Sequence, residues 1–185
     1  MKKLFGFNTK TLVGTALGAA LFTVLFMYVK IPTGIPETQI QSAYGIGGFF
    51  AAMFGPIAGF LLAFIGHALS DIVQYGSAWW SWVIASGVFG LLVGIGAKLL
   101  KMNEAEMGKK GLIKFNIVQV IAHVICWGGV APVLDILIYN EPLDKLFAQG
   151  LFSGISNAVT TAIVGSLLCV AYAATKIKAG SLTKE

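Results

Sequence analysis

Residues Gly55 to Val83 read GPIAGFLLAFIGHALSDIVQYGSAWWSWV. A Gly-Pro pair opens the stretch, and an uncharged apolar run follows it as far as Asp71. About 20 apolar residues in a helix cross a bilayer, and proline is favoured at the first position of a helix. The polar and aromatic residues gather at the C-terminal end of the run. The stretch therefore predicts a turn, a membrane-spanning helix and a polar site towards one membrane face.

The composition of the whole chain extends this prediction. The chain has 185 residues, of which 57% are hydrophobic and 11% are charged, whereas soluble domains carry about 25% charged residues. Most of the surface therefore cannot face water, which indicates a polytopic protein of the cell membrane. The apolar runs are continuous rather than alternating, so they predict helices and not a β-barrel. The length predicts one domain, residues 1–185.

Six apolar runs are candidates for membrane-spanning helices. They cover residues 11–29, 40–54, 57–75, 79–99, 113–138 and 147–175. The sequence thus predicts an all-α fold, a bundle of six transmembrane helices in the lipid bilayer. Cys126 and Cys169 lie inside these runs without the ligand spacing of a metal site. We expect them to pack as small hydrophobic side chains, with no disulfide, metal or cofactor.

The basic residues, all of them lysines, decide the predicted orientation. Six spans place both termini on one side of the membrane, and that side receives eleven of the thirteen lysines. It receives Lys2, Lys3, Lys10, Lys98, Lys101, Lys109, Lys110, Lys114, Lys176, Lys178 and Lys184, whereas Lys30 and Lys145 fall on the other side. Because lysines concentrate in cytoplasmic loops, both termini are predicted to be cytoplasmic. Lysines in these positions indicate contact with the membrane surface and not a nucleic acid partner.

With this orientation, the polar residues inside the spans concentrate in the outer half of the membrane. A proton or ion pathway needs polar groups through the whole depth, and here they stop near the midplane. The pattern predicts a cup that opens to the outside and binds a small molecule. The predicted ligand-binding residues are Gln41, His67, Asp71, Gln74, Trp82, Gln119, His123, Trp127 and Asn157.

Some of the polar and aromatic residues also have a structural alternative. Trp79 and Trp80 lie at the depth of the interfacial aromatic belt, or else they stack on a ligand. His67 and Asp71 are four residues apart on one helical face, so they could bond each other instead of a ligand. An ionisable residue inside a span is costly, which favours a functional role for Asp71.

The fifth span carries a stripe of polar and aromatic residues. Gln119, His123 and Trp127 follow one another at four-residue spacing, which places them on one helical face. A helix–helix contact explains one of the three, and a ligand wall explains all three. The acidic residues at the outer ends of the last two spans are expected to form a solvated outer loop: Asp135, Glu141 and Asp144.

Three segments carry a resemblance to a known family. They are YVKIPTGIPETQIQ at residues 28–41, the stretch from Gly55 to Val83, and GVFGLLVG at residues 87–94. Together they resemble the substrate-binding S components of energy-coupling factor (ECF) transporters, over nearly the whole chain. Within that family the chain is similar to an uncharacterised-protein subfamily that is often linked to uptake of hydroxymethylpyrimidine, a thiamine precursor.

The resemblance implies a transport function and not an enzyme. An S component binds a vitamin or its precursor at the outer side of a six-helix bundle. It then associates with a transmembrane coupling subunit and two cytoplasmic ABC-type ATPases. Family members carry an AxxxA-type docking motif on the first helix, which Ala16 and Ala20 match. The first outer loop of the family acts as a lid, and here that loop runs from Lys30 to Gln41.

Two other classes of protein stay open on the residues alone. An intramembrane enzyme would use Asp71 with His67 or His123, although the HExxH, Walker A and GxSxG motifs are absent. A small structural or assembly protein would bind no ligand. A small molecule that stays bound during purification would exclude the last class.

Overall fold

A computed structural model describes residues 5–6, 8–102 and 108–175 of the chain. This part of the chain forms six helices and one short hairpin: α1 Thr9–Tyr28, β1 Lys30–Pro32, β2 Gln39–Gln41, α2 Ala43–Phe54, α3 Pro56–Tyr75, α4 Trp80–Leu99, α5 Lys109–Tyr139 and α6 Leu143–Ala174. The two longest helices each contain one π-helical turn, Cys126–Val130 in α5 and Thr161–Gly165 in α6. The lysines that lie outside the described residues are Lys2, Lys3, Lys176, Lys178 and Lys184.

The predicted bundle of six helices is confirmed. Among the described residues, five helices are long and apolar enough to cross a membrane, and α2 is the short one, with 12 residues. The predicted start of the second span at residue 40 is wrong. Ile40 and Gln41 belong to β2, where they pair with Ile31 and Lys30 of β1. The helices α5 and α6 begin earlier than the predicted fifth and sixth spans.

The short helix α2 lies at the centre of the bundle. Most of its residues are buried, including Tyr44, Phe49 and Met53. Twelve residues extend about 18 Å as a helix, which is well short of the roughly 30 Å of a hydrocarbon core. The space beyond the N-terminus of α2 is therefore left open, and Gln39 and Gln41 of the hairpin border it.

The packing of α3 depends on glycines at two places. Gly55 has φ +97° at the turn before α3, a conformation that suits glycine, and Pro56 is the first residue of α3. Further along, α3 crosses α4 where Gly59 meets Gly90, and a Cβ on either glycine would overlap the backbone of the other. Helices associate in lipid through such close packing, because burial of apolar surface gives no driving force there. The crossing fixes α3 against α4, the two helices that carry the opening stretch.

The bundle has two chemically different ends. The hairpin end contains β1, β2 and the turns at residues 76–79 and 140–142; the opposite end contains Gly55 and the C-terminus of α4. Among the described lysines, Lys30 and Lys145 lie at the hairpin end, and the other six lie at the opposite end. This distribution agrees with the lysine partition read from the sequence. That the hairpin end faces the outside stays a prediction.

Candidate functional site

A cavity of about 460 Å³ lies at the hairpin end, next to the N-terminus of α2. All six helices and the hairpin contribute residues to its lining. The volume falls within the range of about 300–1,000 Å³ that is usual for small-molecule sites. The structure therefore contains a cavity at this end of the bundle, and the shortness of α2 makes room for it. That the cavity opens to the outside and binds a small molecule stays a prediction.

The floor of the cavity is aromatic, and its polar atoms are linked to one another. The rings of Phe26 and His67 have centroids 4.2 Å apart, and Tyr44 contacts Phe26 edge-on. The Tyr44 hydroxyl and His67 Nδ1 lie 2.9 and 2.7 Å from Ser86 Oγ. Ser86 Oγ also lies 2.9 Å from the carbonyl oxygen of Trp82. Because one hydroxyl joins α2, α3 and α4, these floor side chains are held in a single arrangement.

Asp71 lies one helical turn above His67, on the wall formed by α3. Its Oδ2 accepts a hydrogen bond from the N–H of Trp79 at 3.1 Å, and its Oδ1 lies 3.5 Å from His67 Nε2. Asp71 and His67 are each 5% exposed, and both line the cavity. The two alternatives for this pair, contact with each other and access to a ligand, are therefore both compatible with the geometry. The carboxylate also lies at the N-terminus of α4, where the helix dipole favours a negative charge.

The prediction of a solvated outer loop is wrong for Asp135. This residue is 1% exposed, and it lies on α5 against the start of α4. Its Oδ1 accepts hydrogen bonds from Trp79 Nε1 at 2.7 Å and from the Ser81 hydroxyl, and its Oδ2 accepts one from Trp82 Nε1 at 2.6 Å. A charged group is buried only when it is paired in this way. One carboxylate therefore sets the orientation of two indole rings.

The two adjacent tryptophans at the start of α4 have different surroundings. Trp79 lines the cavity and packs against Tyr139, with ring centroids 4.5 Å apart. Trp80 is 45% exposed and contacts Phe64, with ring centroids 6.1 Å apart. An exposed indole at the end of a spanning helix is typical of the interfacial belt. The belt alternative therefore suits Trp80, and the ligand-stacking alternative suits Trp79.

The stripe of Gln119, His123 and Trp127 lies behind the cavity wall and not in its lining. Trp127 is fully buried and stacks on Trp82, with ring centroids 5.3 Å apart. Trp127 Nε1 donates to His123 Nδ1 at 2.7 Å, and His123 Nε2 lies 3.0 Å from Thr161 Oγ1. Since an indole N–H can only donate, His123 Nδ1 is the acceptor, and a neutral ring carries its proton on Nε2. The stripe thus joins α5 to α6 and supports Trp82 from behind.

Of the remaining predicted ligand-binding residues, some line the cavity and one does not. Gln41 and Asn157 line the cavity, and the Gln41 N–H lies 3.4 Å from Asn157 Oδ1. Gln74 is not in the lining. Its Oε1 accepts a hydrogen bond from Lys30 Nζ at 2.6 Å, and its Nε2 donates to the Ser70 carbonyl. Of the nine predicted ligand residues, five therefore line the cavity: Gln41, His67, Asp71, Trp82 and Asn157. Their contact with a ligand stays a prediction.

The loop between β1 and β2 is fastened to α6. The Glu37 carboxylate lies 2.9 Å from Lys145 Nζ, and the same ammonium lies 3.0 Å from Glu141. Gln149 Nε2 donates to the carbonyl of Pro36 at 2.9 Å. Glu37 has φ +56°, a conformation that is uncommon outside glycine, so these contacts hold the loop in a strained turn. The segment predicted as a lid is thus adjacent to the cavity and tied down on one side.

A second polar stripe lies on α6 and was not recognised in the sequence. Lys145, Gln149, Ser153 and Asn157 follow one another at four-residue spacing, and all four line the cavity. Such spacing places residues on one helical face, so the signal was present in the sequence. Of these four, only Asn157 is among the predicted ligand-binding residues; Lys145 precedes the predicted span, whereas Gln149 and Ser153 lie inside it.

Small residues occupy two different faces of α1. Gly14 and Gly18 are buried, and a Cβ at Gly14 would meet the ring of Phe54. Ala16 and Ala20 are exposed, and they are not part of the cavity lining. The glycines therefore pack within the bundle, whereas the alanines face outwards. Exposed small residues allow another helix to approach closely in lipid, and their use for docking stays a prediction.

The chain is similar to proteins of one known family over nearly its whole length. The model of the ECF-type riboflavin transporter S component family matches residues 6–174. A UPF0397 protein of Lactococcus lactis subsp. cremoris (strain NZ9000) is 49% identical over 178 residues, which cover 96% of this chain and 98% of that protein. A UPF0397 protein of Streptococcus gordonii is 49% identical, with 100% of both chains covered. A UPF0397 protein of Staphylococcus aureus (strain MSSA476) is 48% identical, with 96% of this chain and 97% of that protein covered.

Proposed function

Because this chain belongs to the family of ECF-type riboflavin transporter S components, we propose that its hairpin-end cavity captures a vitamin or vitamin precursor from outside the cell. S components are substrate-binding subunits of transporters and not enzymes, so the chain is a bacterial membrane protein of transport. Subunits of this family work with a transmembrane coupling subunit and ATPases. We propose that two cytoplasmic ABC-type ATPases drive delivery of the substrate to the inside.

The observation that supports this proposal most is the cavity itself. Its lining combines aromatic faces with a few polar groups from several helices, which is the usual composition of a small-molecule site. Beneath it, fully buried apolar side chains such as Leu62 and Phe89 fill the bundle. A site with such a floor can hold a ligand but needs a partner to release it on the other side. This need agrees with a capture subunit that works in a complex.

The substrate that we propose is hydroxymethylpyrimidine. This molecule is flat and carries polar groups on its edge. The face of Trp82, backed by Trp127, offers a surface for ring stacking. Asp71, Gln41 and Asn157 offer hydrogen-bonding partners for the edge. Riboflavin, which the family description names, is the competitor that the same experiment must include.

The direction of transport and the docking surface are part of the proposal. The lysine partition favours an outward-facing hairpin end, with both termini in the cytoplasm. The exposed pair Ala16 and Ala20 on α1 would contact the coupling subunit. This pair lies outside the cavity lining, so docking and ligand binding can be changed separately.

The two alternative classes are not retained. An intramembrane enzyme is excluded because the family consists of transporter subunits. In addition, both ring nitrogens of His123 are engaged by Trp127 and Thr161, away from the cavity. A purely structural protein would leave an aromatic and polar cavity of about 460 Å³ without a role.

The test combines ligand identification with assembly. The protein is purified from cells in mild detergent, and the small molecules that it releases on denaturation are identified by mass spectrometry. Hydroxymethylpyrimidine and riboflavin are then titrated while tryptophan fluorescence is followed, because Trp79 and Trp82 line the cavity. We expect a small aromatic molecule to be released, and the coupling subunit to co-purify when it is co-expressed. If the protein releases no small molecule and no coupling subunit co-purifies with it, the proposal is refuted.

A further inference from the structure

The charges that line the cavity are unbalanced. Four carboxylates belong to the described lining, those of Glu37, Asp71, Asp135 and Glu141, against the one ammonium of Lys145. That ammonium is already bound by Glu37 at 2.9 Å and by Glu141 at 3.0 Å. Asp71 and Asp135 are therefore left without a lysine partner in the lining. A ligand that enters the cavity meets an excess of negative charge.

Asp71 retains unused capacity as an acceptor. Its neighbours are the backbone N–H of Trp79 at 3.1 Å and His67 Nε2 at 3.5 Å. Lys30, the other lysine at the hairpin end, donates to Gln74 and acts on Asp71 through its charge without a hydrogen bond to it. Because an ionised carboxylate offers about four acceptor sites, Asp71 can take further hydrogen bonds from a ligand.

Asp135 adds negative charge from α5. Its three hydrogen-bond donors are two indole N–H groups and the Ser81 hydroxyl, and all three are neutral. Such donors stabilise the carboxylate but leave its charge in place. In the low dielectric of the bundle, that charge acts on a ligand more strongly than it would in water.

Gln41 supplies a third acceptor, independent of the acidic groups. Gln41 lines the cavity and is 5% exposed. Its Nε2 donates to Gln39 Oε1 at 3.3 Å, whereas its Oε1 is buried with no hydrogen-bond partner. Buried polar atoms are nearly always paired. This oxygen therefore indicates a donor on the ligand that the described part of the chain does not supply.

The aromatic wall also favours a cation. Tyr75, Trp79 and Trp82 line the cavity, and the faces of such rings attract positive charge. Lys145 Nζ already lies 5.7 Å from the centroid of the Trp79 ring. No group of three His, Cys, Asp or Glu side chains in the described ranges could hold a metal ion. An organic cation therefore fits the lining better than a metal ion does.

We propose that the ligand is bound as a flat organic cation whose ring stacks on Trp82. Its positive charge and one N–H group face Asp71, and a second N–H group donates to Gln41 Oε1. This inference rests on the proposed function of the cavity and specifies the class of substrate. A permanently charged heterocycle meets the requirement directly. An aminopyrimidine meets it in its ring-protonated form, with one proton taken up from the buffer for each neutral molecule bound.

A matched pair of probes tests the requirement for charge. Nicotinamide is a neutral flat ring with an amide N–H donor, and 1-methylnicotinamide is the same ring with a permanent positive charge. Binding of each to the purified protein is measured by isothermal titration calorimetry. We expect the cation to bind at least about tenfold more tightly, as for one charge-assisted hydrogen bond. Equal affinities, tighter binding of the neutral probe, or no binding of either at millimolar concentration would overturn the inference.

Two matched variants locate the charge. Asp71→Asn keeps the size of the side chain and an oxygen for the Trp79 N–H. It should lower the affinity for 1-methylnicotinamide roughly tenfold to a hundredfold and lower the affinity for nicotinamide by a smaller factor, because the neutral probe loses only the charge assistance of one N–H hydrogen bond. Asp144→Asn, on the exposed first turn of α6, should change neither affinity. Equal losses for both probes in Asp71→Asn would show a purely structural role and overturn the inference.

The failure of this inference is distinguishable from failure of the proposed function. If the protein releases a neutral molecule and still binds its coupling subunit, only the inference that the ligand is a cation is overturned. A protein that releases no molecule and binds no coupling subunit would overturn the capture function itself.

Discussion

The substitution Asp135→Asn tests whether one buried carboxylate orients the aromatic wall of the cavity. The carboxylate accepts hydrogen bonds from Trp79 Nε1 and Ser81 on one oxygen and from Trp82 Nε1 on the other. Asparagine has nearly the same shape but only one acceptor oxygen. If that oxygen keeps Trp79 and Ser81, the new NH₂ group faces the Trp82 indole N–H, so that a donor meets a donor.

The cost of Asp135→Asn follows from these three hydrogen bonds. A buried donor left without an acceptor, here the Trp82 indole, costs about 1–3 kcal/mol. The two surviving bonds lose their charge assistance, which is worth about 1 kcal/mol each. We therefore expect the free energy of unfolding to fall by roughly 3–5 kcal/mol. Ligand affinity should fall as well, because Trp82 loses the group that fixes its ring.

A double-mutant cycle isolates the free-energy cost of the unpaired Trp82 indole N–H. Trp82→Phe keeps an aromatic ring at this position but has no N–H group to leave unpaired. In that background, Asp135→Asn should cost about 1–3 kcal/mol less than it does in the wild type. The free energy of unfolding is measured by SDS titration in mixed micelles for the wild type, both single variants and the double variant. Asp144→Asn, at an exposed position, serves as the charge-matched control.

Two results would contradict an ordering role for the Asp135 carboxylate. Additive costs, with a coupling energy below about 0.5 kcal/mol, would show that Asp135 and the Trp82 indole do not act together. A wild-type-like stability of Asp135→Asn would show that the carboxylate is solvated, as the sequence alone suggested.

Three further predictions concern the loop, the docking face and the orientation. Glu37→Gln weakens the ion pair with the lysine of α6, so ligand release in stopped-flow fluorescence should become about two- to fivefold faster; an unchanged rate would mean that this pair does not hold the loop. Ala16→Leu should abolish uptake and spare ligand binding, whereas the control Ala171→Leu, also at an exposed position, should leave both uptake and binding unchanged; joint loss of uptake and binding in Ala16→Leu would place Ala16 in the packing of the bundle. A cysteine at Asn140 should react with an impermeant maleimide on intact cells, and a cysteine at Lys109 should not. The background labelling should be low, because both native cysteines are buried. The reverse labelling pattern would overturn the predicted orientation.

The helices of the fold could be predicted because lipid leaves the backbone few choices. Every N–H and C=O group within the bilayer must be satisfied internally, so a long apolar run becomes a helix. The boundary of α2 could not be predicted in this way. Ile40 is apolar and joins the run in the sequence, yet it pairs with Ile31 in the hairpin. Hydropathy does not distinguish an apolar residue of a hairpin from one of a helix.

The end of the bundle at which the cavity lies could be predicted, but not the side of each helix that faces it. His67 and Asp71 line the cavity, whereas His123 bonds Thr161 behind the wall. The π-helical turn Cys126–Val130 inserts an irregularity between His123 and Asp135. It changes which face the later residues present, and regular four-residue spacing does not anticipate such a change. Asp135 was misassigned because its three donors come from another helix, and sequence proximity does not reveal them.

The affinity of cavity variants tests most directly whether the cavity at the hairpin end binds the transported small molecule. The molecule identified by mass spectrometry is titrated into the wild type, Asp71→Asn, Trp82→Ala and the control Asp144→Asn, with the melting temperature of each unliganded protein recorded alongside. We predict a loss of affinity of roughly tenfold to a hundredfold for Asp71→Asn, a clear loss for Trp82→Ala through its missing stacking surface, and wild-type affinity for the control. Wild-type affinity in both cavity variants, whatever their melting temperatures, would contradict the account.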